Sequence, residues 1–307
     1  MIHPSLYDHI RPTDIRPAPH ISARTGLDVV LISEVSQVTG SFKLRAAFNL
    51  AALTDRPRLL AASSGNFGQA LAYAGKVLGK PTTIVMPHTS AQVKIDAVRS
   101  HGATVDLIDV NTVSRAERLA MHVEAEPDVC ASDAYDDPRI IAGNSSLGHE
   151  IAAAALGLDV LLVPIGGGGL SSGIIKGLCE KGDPTSVWAA EPLLANDAAR
   201  SLRAGQRLAN RLEPQTIADG ARTVSVGKHN WAILHPGLGG IVEVSEAHIC
   251  EGVRLLAQDG IRAEPTGALA IGALLGAWRP PGTRIGCVLS GGNVDAAVYD
   301  AILAGDT

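Results

Sequence analysis

Four segments of the sequence carry residue types at spacings that could do chemistry. Gly166-Gly167-Gly168-Gly169 stands between an apolar strand-like run and an amphipathic helical one. Glycines there let backbone N–H groups approach an anion, and the helix N-terminus adds a favourable dipole. Four in a row are a costly way to make a plain turn, so a phosphate is the expected ligand. Thr39-Gly40-Ser41-Phe42-Lys43-Leu44-Arg45 places a lysine at the start of an apolar helical stretch. On spacing alone that lysine reads as a surface residue. Ser63-Ser64-Gly65-Asn66-Phe67-Gly68-Gln69 crowds two hydroxyls and two amides into a strand-to-helix turn. Capping of the next helix accounts for one of those side chains, not four. Ser290-Gly291-Gly292-Asn293 follows the last strand-like run. Open α/β sheets bind ligands at such strand ends.

The spacing narrows the phosphate. A dinucleotide turn needs G-x-G-x-x-G, but Ser171 and Ser172 occupy the third glycine position in the two available registers. Glu191 sits where a ribose-binding acid would, about 20 residues on, which leaves a nucleotide-binding oxidoreductase as the weaker reading. The sequence has no G-x-x-x-x-G-K-[ST], so a P-loop is excluded.

These segments must be positioned by an α/β framework. Strand-like runs at Asp28–Ile32, Leu59–Ala62, Thr82–Met86, Thr104–Val110, Val160–Pro164, Ser186–Ala190, Ile241–Val244 and Ile285–Leu289 alternate with helical stretches. That alternation predicts mostly parallel sheets. Ser90 is placed to cap a helix over Ala91–His101, with Gly102 as its C′ residue. A single helix is predicted over Thr266–Trp278, and 191–240 reads as loop-rich.

Composition limits the partners. The 307 residues are 46% hydrophobic and only 3% aromatic, so the core is aliphatic. A net charge of -5 gives no reason to expect a nucleic-acid or membrane partner. No run is long enough for a membrane span, and the N-terminus lacks a signal-peptide pattern. Cys130, Cys179, Cys250 and Cys287 form no C-x-x-C pair and read as small core residues in a reduced, cytoplasmic protein. The ten histidines show no metal-ligand spacing, and none is assigned to catalysis.

Together the four segments resemble the fold-type II pyridoxal-phosphate enzymes of the serine/threonine dehydratase and serine racemase family. The resemblance runs from Pro19 to Asp295, with the motifs in the family's order. It implies an α/β, tryptophan synthase β-like architecture of two open, twisted, mostly parallel sheets flanked by helices. Residues 1–50 and 139–307 would form a large domain and 51–138 a small one, with pyridoxal 5'-phosphate in the cleft between them. Lys43 would hold the cofactor as a Schiff base and act as general base. Phe42 would pack on the ring, Asn66 would bond its 3′ oxygen, Gly166, Gly167, Gly168 and Gly169 would hold the phosphate, and Ser290 would face the ring nitrogen. Glu264, in Glu264-Pro265-Thr266-Gly267, would frame the pocket.

The resemblance further places Ser63, Ser64, Asn66, Phe67 and Arg115 at the substrate. Ser64 would stand opposite Lys43, as a racemase's second acid/base. Glu191, Ala195 and Asp197 would form a structural or activating site for Mg²⁺ or Ca²⁺. The implied reaction is elimination from a small β-hydroxy-amino acid such as serine or threonine to a 2-oxo acid and ammonia, with racemisation, or dehydration of a larger or modified hydroxy-amino acid, as the alternatives. A non-catalytic cofactor-binding protein is disfavoured because Lys43 is present. The family's habit implies a homodimer. The chain stops shortly after Asn293, which implies no C-terminal regulatory domain.

Three departures are visible. Phe67 replaces the family's histidine, Asn144-Ser145-Ser146 replaces Gln-Gly-Thr, and Ala46 replaces a glycine. The first two are expected to border the active site, so substrate identity is less fixed than cofactor identity.

Overall fold

The computed structural model describes residues 1–306. Its ten strands are β1 Asp14–Pro17, β2 Asp28–Ser33, β3 Arg58–Ala62, β4 Thr82–Pro87, β5 Thr104–Ile108, β6 Val129–Ser132, β7 Val160–Pro164, β8 Ser186–Pro192, β9 Gly240–Val244 and β10 Arg284–Leu289. They form a six-stranded sheet, β1-β2-β10-β7-β8-β9, and a four-stranded sheet, β5-β4-β3-β6. Only β1 is antiparallel to its neighbour. Every other pairing is parallel, and helices cover both sheets. The α/β class with mostly parallel strands, predicted from the alternating pattern, is what forms.

Strand alternation sorts the core into layers. In β2, Val29 and Leu31 enter one cluster, with the helices Pro19–Thr25, Glu246–Gln258 and Leu269–Leu275. Val30 and Ile32 enter another, with helices Pro138–Ala153 and Gly169–Lys181. Val160 and Leu162 divide from Leu161 and Val163 in the same way, as period-two geometry requires. The two helices of the second layer approach backbone to backbone. A Cβ on Gly177 would lie 2.3 Å from the Ser145 carbonyl oxygen, and one on Gly173 would lie 2.3 Å from the Asn144 Cβ.

A third cluster lies on the four-stranded sheet and includes Leu59, Ala61, Ile84 and Met86. Helix Lys43–Leu53 contributes Leu44, Phe48 and Leu50 to it, so this helix packs with the four-stranded sheet although it follows directly from β2. Arg45 ties the same helix back to the other sheet. It is fully buried and bonds Glu34 bidentately at 2.8 and 2.9 Å, Glu150 at 2.6 Å, Ser146 at 3.0 Å and Thr13 at 2.8 Å.

Several local expectations are corrected. The helix after β4 begins at Gln92 with Ala91 as its N-cap, and the buried Ser90 hydroxyl makes no hydrogen bond. Segment 191–240 contains helices Asp197–Ala204 and Lys228–Gly237, and 266–278 divides into a 3-10 turn, Pro265–Ala268, and helix Leu269–Leu275. Cys179 is exposed, unlike the other three cysteines. β1 and β6 were not legible, because four-residue strands carry too little periodicity to register.

Removing Arg45 leaves two acids unpaired beneath the helix that starts at Lys43. Arg45→Ala is expected to lower unfolding stability by about 3–5 kcal/mol in denaturant titration. A loss below about 1 kcal/mol would show that the network holds nothing in place.

Candidate active site

The C-terminal ends of β3, β4, β7 and β10 open into one cleft of roughly 690 Å³. Phe42, Lys43, Ser63, Ser64, Asn66, Phe67, Arg115, Gly166 to Gly169, Glu264 and Ser290 all line it. Residues more than two hundred positions apart are brought together because parallel strands deliver their following turns to the same edge.

Lys43 is the first residue of its helix and points into the cleft, where its Nζ donates to the Ala134 carbonyl at 3.0 Å. The Phe42 ring lies 5.1 Å from Nζ and the Phe67 ring 5.7 Å. Burial lowers its pKa from 10.5 to about 8, although Asp133 and Glu264 pull the other way. Neutral amine, the nucleophilic form, is therefore available near physiological pH.

The turn after β3 is held by Ser63, whose hydroxyl accepts from the N–H groups of Gly65 (3.3 Å) and Gly68 (3.2 Å). Among the described residues, the N–H groups of Ser64, Asn66 and Phe67 have no protein acceptor, and the Ser64 hydroxyl has no protein partner. They open helix Asn66–Leu78, where a carboxylate is favoured. The Asn66 amide donates to both Glu264 oxygens, at 2.9 and 3.0 Å, and accepts from Asn293 at 2.7 Å. Desolvation pushes the Glu264 carboxyl up to about 8, with Asp219 adding to the rise. Asn293, which closes the Ser290–Asn293 segment but received no role from the sequence, and Tyr135, which was not singled out, also line the cleft. Their roles arise from contacts across the fold that local pattern does not encode.

The glycine loop admits no side chains. A Cβ on Gly167 would lie 2.2 Å from the Tyr135 ring and one on Gly166 2.9 Å from the Ala221 Cα. Gly168 adopts φ +93°. Across the cleft, the Ser290 hydroxyl is buried without a protein partner. Arg115 sits at the cleft wall, partly exposed, in a loose 3.8 Å ion pair with Glu213.

Two groups of predicted residues lie elsewhere. Glu191, Ala195 and Asp197 are buried but do not line the cleft. Glu191 accepts from the N–H groups of Ala198 and Ala199, both at 2.8 Å. Asp197 accepts from the Val226 N–H at 2.9 Å and the Asn210 amide at 3.0 Å. Desolvation raises both carboxyls, Asp197 to about 6, and the charge of Asp197 raises Glu191 further. Among the described residues, no three His, Cys, Asp or Glu side chains cluster as a metal site. Asn144, Ser145 and Ser146 were expected to border the active site. None of them lines the cleft: Asn144 and Ser145 pack behind the glycine loop, where Asn144 donates to the Gly169 carbonyl at 2.9 Å, and Ser146 faces Arg45 at 3.0 Å.

Residues 6–291 match the family model described as pyridoxal-phosphate dependent enzyme. The chain belongs to this family. It is 35% identical over 291 residues to the L-threo-3-hydroxyaspartate ammonia-lyase of Pseudomonas sp, covering 93% of this chain and 91% of that one. It is 33% identical to the serine racemase of Homo sapiens, with 95% and 89% covered. A solved threonine deaminase, from T.th., superposes with a TM-score of 0.88 at 34% identity, covering 96% of this chain and 99% of that one. Pyridoxal phosphate is thus the cofactor, and the cleft fits it. The desolvated Lys43 amine would suit its aldehyde, the glycine loop's backbone donors its phosphate, and the partnerless Ser290 hydroxyl its polar ring. Among the described residues, no helix is long and apolar enough to cross a membrane.

Competitive acetylation of protein stripped of cofactor, read by peptide mass spectrometry, should show Lys43 reactivity half-maximal near pH 8. Below that pH the amine is protonated and inert. A midpoint near the ordinary lysine value of 10.5 would contradict the burial.

Proposed function

We propose that the enzyme is an ammonia-lyase for a small β-hydroxy-amino acid, with Lys43 as its cofactor-bearing residue and general base. The observation that carries this reading is the half-buried, desolvated Lys43 amine, facing the same cleft as the glycine loop and the Ser290 hydroxyl. Relatives named ammonia-lyase and threonine deaminase support the reaction class. Bound, the cofactor supplies an electron sink that makes the substrate's Cα–H acidic. Lys43 would hold it through Nζ and, once freed by the substrate's amine, take the Cα proton at that atom.

The other residues bind and orient. The N–H groups of Ser64, Asn66 and Phe67 would receive the substrate carboxylate at the helix N-terminus, with Arg115 adding positive charge at the wall. Phe42 and Phe67 exclude water from around the Lys43 amine. Ser290 would offer the cofactor's ring nitrogen a neutral hydroxyl, which would not hold it protonated as a carboxylate would. Residues 51–138 would serve as the small domain and the two flanking segments as the large one. Lys43→Ala is expected to abolish the cofactor's visible absorbance band on the protein and cut 2-oxo acid release from L-serine, L-threonine or L-threo-3-hydroxyaspartate by about 10³-fold. An unchanged band or turnover would overturn the assignment.

Racemisation is the second reading, favoured by the Ser64 hydroxyl, which faces the cleft without a protein partner. Ser64→Ala should lower racemisation by about 10²-fold and leave elimination within about tenfold. Equal losses of both reactions would contradict a proton-donor role.

A divalent cation at Glu191, Asp197 and the Ala195 carbonyl completes the proposal. Two buried carboxylates repel there, and Arg200 acts on Asp197, as Glu191 and Arg203 act on each other, without a close ion pair among the described residues. Mg²⁺ or Ca²⁺ should raise the melting temperature by a few degrees, an increment that EDTA and Glu191→Gln both remove. Melting indifferent to cation and chelator would contradict it.

A further inference from the structure

Each carbonyl from Gly167 to Gly169 is bonded from behind the glycine loop. Asn230, fully buried at the start of helix Lys228–Gly237, donates its Nδ2 to the Gly167 oxygen at 2.9 Å and to the Tyr135 oxygen at 3.0 Å. The Gly227 N–H reaches the same Gly167 oxygen at 3.0 Å, so both lone pairs are used. Ser172 lies within hydrogen-bond distance of the Gly168 oxygen and, at 2.6 Å, of the Asn230 Oδ1, to either of which it donates its single proton. Asn144 donates to the Gly169 oxygen at 2.9 Å. The orientation of the Asn230 amide is not ambiguous, because only its NH₂ end can satisfy two carbonyl oxygens.

In a planar trans peptide the C=O of one residue and the N–H of the next point in opposite directions. Fixing the carbonyls of Gly167, Gly168 and Gly169 therefore fixes the N–H groups of Gly168, Gly169 and Leu170. All three residues line the cleft, and among the described residues no protein acceptor takes these N–H groups. Gly169 opens helix Gly169–Lys181 and the Gly168 oxygen accepts that helix's Ser172 N–H at 2.9 Å, whereas Gly166 and Gly167 lie outside the helix and, without side chains, would otherwise sample many conformations. Asn230 is itself anchored. Asp136 accepts from the N–H groups of Lys228 at 2.7 Å and His229 at 2.8 Å, which seats the first turn of that helix.

We propose that Asn230, backed by Ser172 and Asn144, is a positioning residue that presets the glycine loop's N–H groups toward the cofactor phosphate. The proposal rests on the reading of that loop as the phosphate cradle. It assigns Asn230 a part in cofactor affinity without contact with the cofactor. The preset donors spare the loop its ordering cost when the anion arrives.

The test compares two ligands that differ only in the phosphate. Full-length protein stripped of cofactor is titrated with pyridoxal phosphate and with pyridoxal, following the visible absorbance of the Lys43-linked form. In parallel, inorganic phosphate is tested as a competitor of the first. Asn230→Asp, which turns an oxygen toward the two carbonyls, should weaken pyridoxal phosphate binding at least tenfold and raise the phosphate inhibition constant in step. Pyridoxal binding should stay within twofold. Ser172→Ala should move both phosphate readouts in the same direction by a smaller factor, and it serves where Asn230→Asp does not fold. Equal weakening of both ligands would mean a general structural role, and no weakening would mean no role. Either result overturns the proposal. If wild-type protein binds pyridoxal as tightly as pyridoxal phosphate and inorganic phosphate does not compete, the cradle reading itself fails.

Discussion

A lysine amine partly withdrawn from water sets the terms for the rest of this molecule. Desolvation disfavours the charged form of Lys43, and the fold offsets only part of that cost. The Ala134 carbonyl accepts one hydrogen bond, and Asp133 and Glu264 supply a favourable field. The Phe42 and Phe67 rings lie 5.1 and 5.7 Å from the amine nitrogen. The result is an amine near the balance between nucleophile and ammonium, which both imine chemistry and proton abstraction require. Holding that state needs rigid walls on every side. The walls come from both sheets, with Phe42 and Ser290 at the edge of one and Phe67 at the edge of the other.

Buried polar groups carry the rigidity. Arg45 joins the helix bearing Lys43 to Glu34 at the end of β2 and to Glu150 on the neighbouring helix. Asn66, Glu264 and Asn293 form a chain across the cleft floor. Asn230 and Asn144 secure the glycine loop from the rear. Each network spans elements far apart in sequence, so each fixes the relative placement of parts that hydrophobic packing would leave free to slide.

Much of the framework was legible because parallel strands are apolar runs bounded by turns. The pattern gives β7 at its observed bounds, and β2, β3, β4 and β10 within a residue or two. The cleft's contributors were legible as well, since Gly166–Gly169, Ser63–Gln69 and Ser290–Asn293 spend residues that plain turns do not need. Lys43 was legible only in their company. What escaped was set by tertiary contact. Asn230, in Lys228-His229-Asn230-Trp231, looks like any polar helix start, and its partner Gly167 is distant in sequence. The family resemblance puts Asn144–Ser146 at the border of the active site. Their helix turns Asn144 and Ser145 toward Gly173 and Gly177, where only small neighbours let the two backbones meet, and Ser146 toward Arg45.

The central claim is that Lys43, and no other lysine, carries the cofactor. Borohydride reduction of the holoenzyme, digestion and peptide mass spectrometry test it directly. The reduced pyridoxyl-phosphate mass should appear on the peptide containing Lys43 and on no other. The adduct on Lys94 or any other lysine, or an unmodified Lys43 peptide in reduced holoenzyme, would contradict the assignment.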